Sequence, residues 1–311
     1  MSYDRCIPMY TPKKIYKNDY PALLQQITQL PLFMYVQGEL PPDTSIYLCV
    51  IGARHHSSYG EDACKHLIQG LAGYPIVIVS GLAIGIDSIA HEAALEAGLS
   101  TVAFPGSGLS PAVLYPRSKQ YLAEQILEAG GALVSPFDLM QTGSHWTFPT
   151  RNRLMAGMCH ATLIIEGEEG SGTLLTARHA LEFGRDVMII PGSIFSTLSY
   201  GPHLLMRDGA YPVTNVQEVL DILGFQREVV VPVETSETQG LLFDTVDADM
   251  SPIQKSILET LFEPLSRDEL IRRMGTDASA VNIALSELEL KGVVEERGGT
   301  WKANRKGRVT D

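Results

Sequence analysis

The sequence of 311 residues predicts an α/β chain, a doubly wound and mostly parallel sheet followed by a small C-terminal winged-helix domain. Two patterns predict it. From residue 46 to 215, short β-branched apolar runs alternate with stretches of helical periodicity, as in a parallel sheet covered on both faces. From 251 to 303, three stretches with apolar residues at helical spacing precede two short strand patterns around Gly298-Gly299. Together they read as a Rossmann-like domain with an appended winged helix.

Taken in order, the strands are expected at 46–51 (IYLCVI), 76–80 (IVIVS), 101–104 (TVAF), 132–135 (ALVS), 162–166 (TLIIE), 187–190 (VMII) and near 211–215 (YPVTN). Helices fill the gaps at about 58–72, 87–97, 119–129, 152–158 and 173–183. Gly73, Gly98, Gly130 and Gly184 stand where helices would end in a left-handed residue. Residues 1–45 read as a short N-terminal extension, 46–225 as the Rossmann-like domain, 226–250 as an acidic linker, 251–303 as the winged helix and 304–311 as a basic tail.

Composition narrows the function classes. With 45% hydrophobic and 19% charged residues the chain can bury a core, which excludes disorder. Cys6, Cys49, Cys64 and Cys159 lie far apart and show no metal-ligand spacing, so reduced thiols are expected, with neither a zinc site nor a disulfide framework. The N-terminus lacks the apolar core of a secretion signal, and Asp87 and His91 interrupt the most hydrophobic stretch, so the expectation is a cytoplasmic protein with no membrane partner. The net charge of -12 is unevenly spread: residues 216–250 carry 1 basic and 8 acidic groups, whereas 301–311 carry 4 and 1.

In an open parallel sheet, ligands bind beyond the carboxyl ends of the strands. Glycine-bearing loops occupy four such positions: Gly52-Ala53-Arg54, Ser80 through Gly85, Pro105-Gly106-Ser107-Gly108, and the EGEEGSGT stretch containing Ser171, Gly172 and Thr173. Glycines let a phosphate approach the backbone closely. Neither a dinucleotide fingerprint nor a phosphate loop with its lysine is present, so no nucleotide cofactor is expected. Instead Arg54, Arg117, Lys119, Arg151 and Arg153 cluster in three loops of the same rim, beside Phe148. Cations for phosphates and a ring for a base are what single-stranded nucleic acid requires. The competing possibilities are that Arg151 pairs with a carboxylate such as Glu166 and that Phe148 belongs to the core. Asp87 is expected to cap a helix, with His91 on the ligand-facing turn.

GARHHSSYG, VSGLAIGIDSIAHEAAL, FPTRNRLMAG, EGEEGSGTLLTARHALEFGRDV and PGS resemble, in order and spacing, the DNA-processing protein A family over about 46–215, and more weakly to 303. The resemblance implies a non-enzymatic protein that binds incoming single-stranded DNA in natural transformation and helps load a RecA-type recombinase, as a homodimer. It places Arg54, Ser80, Gly81, Phe148 and Arg151 in the DNA pocket. Ile84 stands where the family usually has arginine, and His145 and Trp146 occupy a stretch where some members carry lysine.

Two alternatives are weighed. Nucleoside-monophosphate phosphoribohydrolases of a related fold place a catalytic glutamate where this chain has Thr176, and a hydroxyl supplies neither its charge nor its basicity. A sequence-specific regulator would read bases through a recognition helix at 277–291, but that helix offers only Asn282 as a suitable reader. No catalytic or metal-ligating residue is therefore assigned.

Overall fold

The computed structural model describes residues 11–225, 250–261, 264–297 and 299–303. The expected acidic linker, apart from Met250, and the basic tail lie outside the described residues, as does Cys6. The chain divides into two compact units, Met1–Val229 and Val230–Asp311.

In the first unit the apolar runs form β3 (Ile46–Ile51), β4 (Ile76–Ser80), β5 (Ser100–Ala103), β6 (Ala132–Ser135), β7 (Ala161–Ile164), β8 (Asp186–Ile189) and β9 (Tyr211–Pro212). Parallel pairing links them in the spatial order β6-β5-β4-β3-β7-β8-β9. Helices α2 (Ser58–Gly70), α3 (Ile86–Glu96), α4 (Gln120–Glu128), α5 (Thr147–Met158) and α6 (Gly172–Glu182) make the crossovers.

Successive strand residues point to opposite faces, and both faces are covered. In β4, Val77 and Val79 join Leu154, Met155 and Ala177 in one core, while Ile76 and Ile78 join Leu67, Ile68, Ile89 and Ala93 in the other. All five residues of β4 are buried. The four glycines expected at helix ends do adopt positive φ, from 67° at Gly98 and Gly184 to 85° at Gly73.

The sequence reading stops short in three places. The stretch expected as an extension supplies β1 (Lys13–Tyr16) and β2 (Phe33–Gly38), a hairpin whose second strand pairs antiparallel with β6, making a sheet of nine strands among the described residues. Between them, the short α1 (Ala22–Gln25) packs on α5 through Leu24 and neighbouring Ile27. Helix α5 begins at Thr147, five residues earlier than expected, because Pro149 in a first turn lacks only an amide that would be unpaired there anyway. Near the end, α7 (Tyr200–Arg207) and α8 (Val216–Ile222) were not expected, and Asn215 caps α8 by accepting from the Glu218 amide at 3.1 Å.

The second unit has the expected winged-helix make-up. It contains α9 (Pro252–Thr260), β10 (Leu265–Ser266), α10 (Arg267–Met274), α11 (Ala278–Leu290), β11 (Val294–Arg297) and β12 (Thr300–Ala303), the strands paired β10-β12-β11. Leu258, Leu270, Leu285, Leu288 and Trp301 fill its core. Ser251, Ser266 and Asp277 each accept a backbone amide at the start of a helix. On the solvent side of α11, Ile283 and Leu290 are exposed.

Candidate nucleic-acid interface

The direction of winding reverses at β3: β4, β5 and β6 lie to one side, and β7, β8 and β9 to the other. Loops leaving β3 and β7 therefore part and open a crevice at the strands' carboxyl ends. It is a cavity of about 300 Å³, with Gly52, Arg54, Asp87, Arg151, Ser171, Gly172 and Thr173 on its wall.

Close backbone approach shapes this wall. A Cβ on Gly85, which has φ of 91°, would lie 2.4 Å from the Ala53 carbonyl oxygen, so only glycine fits there. The next amide, of Ile86, donates to that carbonyl at 3.2 Å and starts α3. Opposite, the Thr173 hydroxyl donates to the Gly52 carbonyl at 3.2 Å, which ties the start of α6 to the end of β3.

Beneath the cavity, Asp87 accepts from the Gly81 amide at 3.2 Å. Burial pushes its carboxyl pKa up, while the Arg151 guanidinium and the amides of Ala83, Gly81 and Gly52 pull it down. Arg151 is only 4% exposed, and its Nη1 donates to the Phe104 carbonyl at 2.7 Å. Burial lowers the guanidinium pKa and Asp87 opposes that. Its Nε has no hydrogen-bond partner. Asp87, not Glu166, is the carboxylate that acts on Arg151; the Glu166 oxygens accept from the amide and hydroxyl of Ser57, at 2.9 and 2.5 Å.

Two expectations about α3 need correction. Gly85, not Asp87, occupies the N-cap, and Asp87 sits one residue into the helix with its side chain turned back to the loop. His91 does not face a ligand: it is fully buried, with Nδ1 2.7 Å from the Thr101 hydroxyl. Burial drops its pKa to about 3.

At the start of α6, Ser171 holds the N-cap position in extended conformation, yet its hydroxyl makes no cap hydrogen bond and has no partner. First-turn amides lack intrahelical acceptors and carry the positive end of the helix dipole. An anion in the cavity would satisfy both.

A second hollow adjoins the first, with Arg54 and Arg151 on both walls. Gly81, Ile84, Gly106, Tyr115 and Phe148 are among its other lining residues. The Phe148 ring lies flush on Gly106, where a Cβ would be 2.3 Å from Cε1. Arg54, exposed at the lip, holds its guanidinium carbon 5.7 Å over the Phe148 ring centroid. Phe148 is thus half-buried, neither wholly core nor wholly open.

Other expected site residues lie elsewhere. The buried Ser80 donates its hydroxyl to the Val50 carbonyl at 2.6 Å and faces inward. Lys119 is paired with Glu92 at 3.0 Å, and the exposed Arg117 lines neither hollow. Arg153 turns to the N-terminal segment, donating to the carbonyls of Thr28 and of Gln29, the latter at 3.2 Å, with Phe183 beneath it. The sequence reading did not assign His55, Asn152, Met155, Glu168 or Thr176, all on the cavity wall. Asn152 was adjacent to an assigned arginine, and its amide reaches the Gly172 carbonyl at 3.4 Å. Among the described residues no group of His, Cys, Asp and Glu could hold a metal ion.

Fold and site define a Rossmann-like protein with a crevice at its switch point, lined by Arg54, Arg151 and the start of α6, and a separate winged-helix unit. The chain belongs to the DNA recombination-mediator protein A family, whose model matches residues 13–224, and the DprA winged helix domain matches 244–300. It is similar to protein Smf of Escherichia coli, 38% identical over 273 residues that span 88% of this chain and 72% of that protein. It is also similar to the DNA processing protein DprA of Streptococcus pneumoniae, 39% identical over 65% of this chain and 70% of the relative. The X-ray structure of DprA from S. pneumoniae matches with a TM-score of 0.62 at 36% identity, over 68% of this chain and 74% of that one. DNA processing protein A from Helicobacter pylori, in a structure concerning that protein's single-stranded DNA binding mode, shares the fold with a TM-score of 0.60 at 24% identity, over 69% and 95% of the two chains. The chain is accordingly a DNA-processing protein of this family.

Proposed function

We propose that this protein binds single-stranded DNA along the rim formed by the loops after β3, β4 and β5 and by the first turns of α5 and α6. In this reading it protects incoming DNA in natural transformation and helps load a RecA-type recombinase, as a homodimer, without catalysis, metal or cofactor. The observation that carries the proposal is the exposed Arg54 guanidinium at the lip of a cavity that also receives the uncapped start of α6, beside a hollow lined by the rings of Tyr115 and Phe148. Cation, ring and unpaired amides together suit alternating phosphates and bases. The S. pneumoniae relative's name supports DNA as the substrate, and the H. pylori protein's single-stranded DNA binding supports the single strand.

The phosphoribohydrolase alternative finds little support in the cavity. Thr176 lies on its wall but donates its hydroxyl to the Gly172 carbonyl at 3.0 Å, and the buried Asp87 is tied to the Gly81 amide. Glu168 is the remaining carboxylate there. One preparation tests both readings: single- and double-stranded oligonucleotides are titrated across a salt series, and nucleoside monophosphates are assayed for base release. Tighter, salt-dependent binding of single strands that survives EDTA is expected. Absence of single-strand binding, or release of free base, overturns the proposal.

A further inference from the structure

Resting on that single-strand reading, we propose that the ring on which the strand stacks a base is Tyr115, with Ile84 as the apolar floor beside it and Phe148 as the brace that holds Tyr115 in place.

Stacking needs an open π face, and Phe148 has little to offer. Gly106 lies flush against the ring, Arg54 sits over it, and Tyr115 meets it edge-on with centroids 5.7 Å apart and planes 63° from parallel. Tyr115 itself is 45% exposed and Ile84 52% exposed, and both line the hollow beside Phe148. Single exposed apolar side chains are ordinary. Two of them in one hollow with two arginines, at the edge of an anion-accepting cavity, are not explained by packing.

The mount is stiff. The Tyr115 amide donates to the Ser107 hydroxyl at 3.1 Å, and the fully buried Ser107 is held in turn by the Ser135 hydroxyl on its carbonyl at 2.8 Å. A ring carried on an anchored backbone and packed edge-on against Phe148 loses less freedom than a loose one when a base settles on it. The hollow holds only about 20 Å³, much less than a base, so a base would lie against it by one face and leave its hydrogen-bonding edge outside. Such a subsite takes any nucleobase of a single strand and ranks bases by stacking strength, purines above pyrimidines, without reading sequence.

A single-stranded oligonucleotide carrying 2-aminopurine tests this with the full-length protein. Binding should change the probe's fluorescence, and Tyr115→Ala and Tyr115→Leu should both abolish that change and weaken affinity about tenfold at an unaltered salt slope, since no charge is removed. Leucine keeps the bulk without the π face, whereas Tyr115→Phe should restore both readouts. Ile84→Arg should steepen the salt slope by about 0.7, because a phosphate would pass the new cation. If Tyr115→Leu binds like the parent with the fluorescence change intact, or Ile84→Arg leaves the slope unmoved, the base subsite is wrong while single-strand binding stands. A parent protein that binds no single strand removes both.

Discussion

Arg151 lies directly across Gly81: a Cβ on Gly81 would fall 1.6 Å from Nη1 of Arg151 and 2.5 Å from Oδ2 of Asp87. The glycine is thus the gap through which a buried cation and a buried carboxylate reach the same loop. Gly81→Ala should drive the guanidinium from the Phe104 carbonyl and cost about 1–3 kcal/mol, the usual range for overpacking a filled interior. Thermal unfolding reads this directly, and a variant that melts with the parent would show the guanidinium free to move.

The two arginines of the rim, Arg54 and Arg151, should separate by what their loss changes. Arg54→Ala, at an exposed position, should leave the melting temperature unchanged and lower the salt slope of single-strand binding by about 0.7. Arg151→Ala instead removes the cation that offsets the buried Asp87 and should cost about 3 kcal/mol or more of stability. Equal melting of the two variants would contradict the assignment.

Arg153 is expected to act on the fold. Its bonds to the carbonyls of Thr28 and Gln29 fasten the segment between β1 and β2. Arg153→Ala should cost about 1 kcal/mol and speed amide exchange over residues 13–38, with single-strand affinity nearly unchanged. A large loss of affinity without faster exchange would return Arg153 to the interface.

Acid should reveal His91. Burial holds its pKa near 3 against an ordinary 6.5. Above pH 6.5 the ring is neutral in both folded and unfolded chains and contributes no pH dependence. As pH falls below 6.5 the unfolded chain takes up a proton that the folded one refuses, so stability drops by up to about 1.4 kcal/mol per pH unit until the folded pKa is reached. Denaturant unfolding at pH 7, 6 and 5 should show a shallower decline for His91→Gln, and matching slopes would clear His91 of the effect.

The parallel strands were legible because both faces are buried, which leaves unbroken β-branched runs such as IVIVS closed by turn residues. The rim was legible for a related reason: strand ends in such a sheet share one side, so the loops at Gly52, Gly81, Gly106 and Gly172 had to lie near one another. Which cation faces a ligand was not legible. Arg151 and Arg153 stand two apart on one helix, yet one is buried beside Asp87 and the other reaches Thr28, a division set by contacts distant in sequence. The N-terminal hairpin escaped for two reasons. In β1 the charged Lys13-Lys14 obscures the strand pattern, and in β2 consecutive apolar residues hide the alternation that buries Met34 and Val36.

That hairpin also acts as a guard against aggregation. Strand β6 is buried along all four residues, and its outer backbone groups pair with β2. With the hairpin in place the sheet ends, among the described residues, on β1, where Lys13 and Lys14 are exposed and discourage a stranger's strand from docking. Its opposite margin among the described residues, Tyr211–Pro212, is two residues long and contains a proline without an amide to donate. A chain shortened to begin at residue 46 would uncover Leu133 and Val134 on a naked edge. It should scatter light on standing at concentrations where the full-length protein stays clear, and clear solutions of the shortened chain would show that β6 needs no such cover.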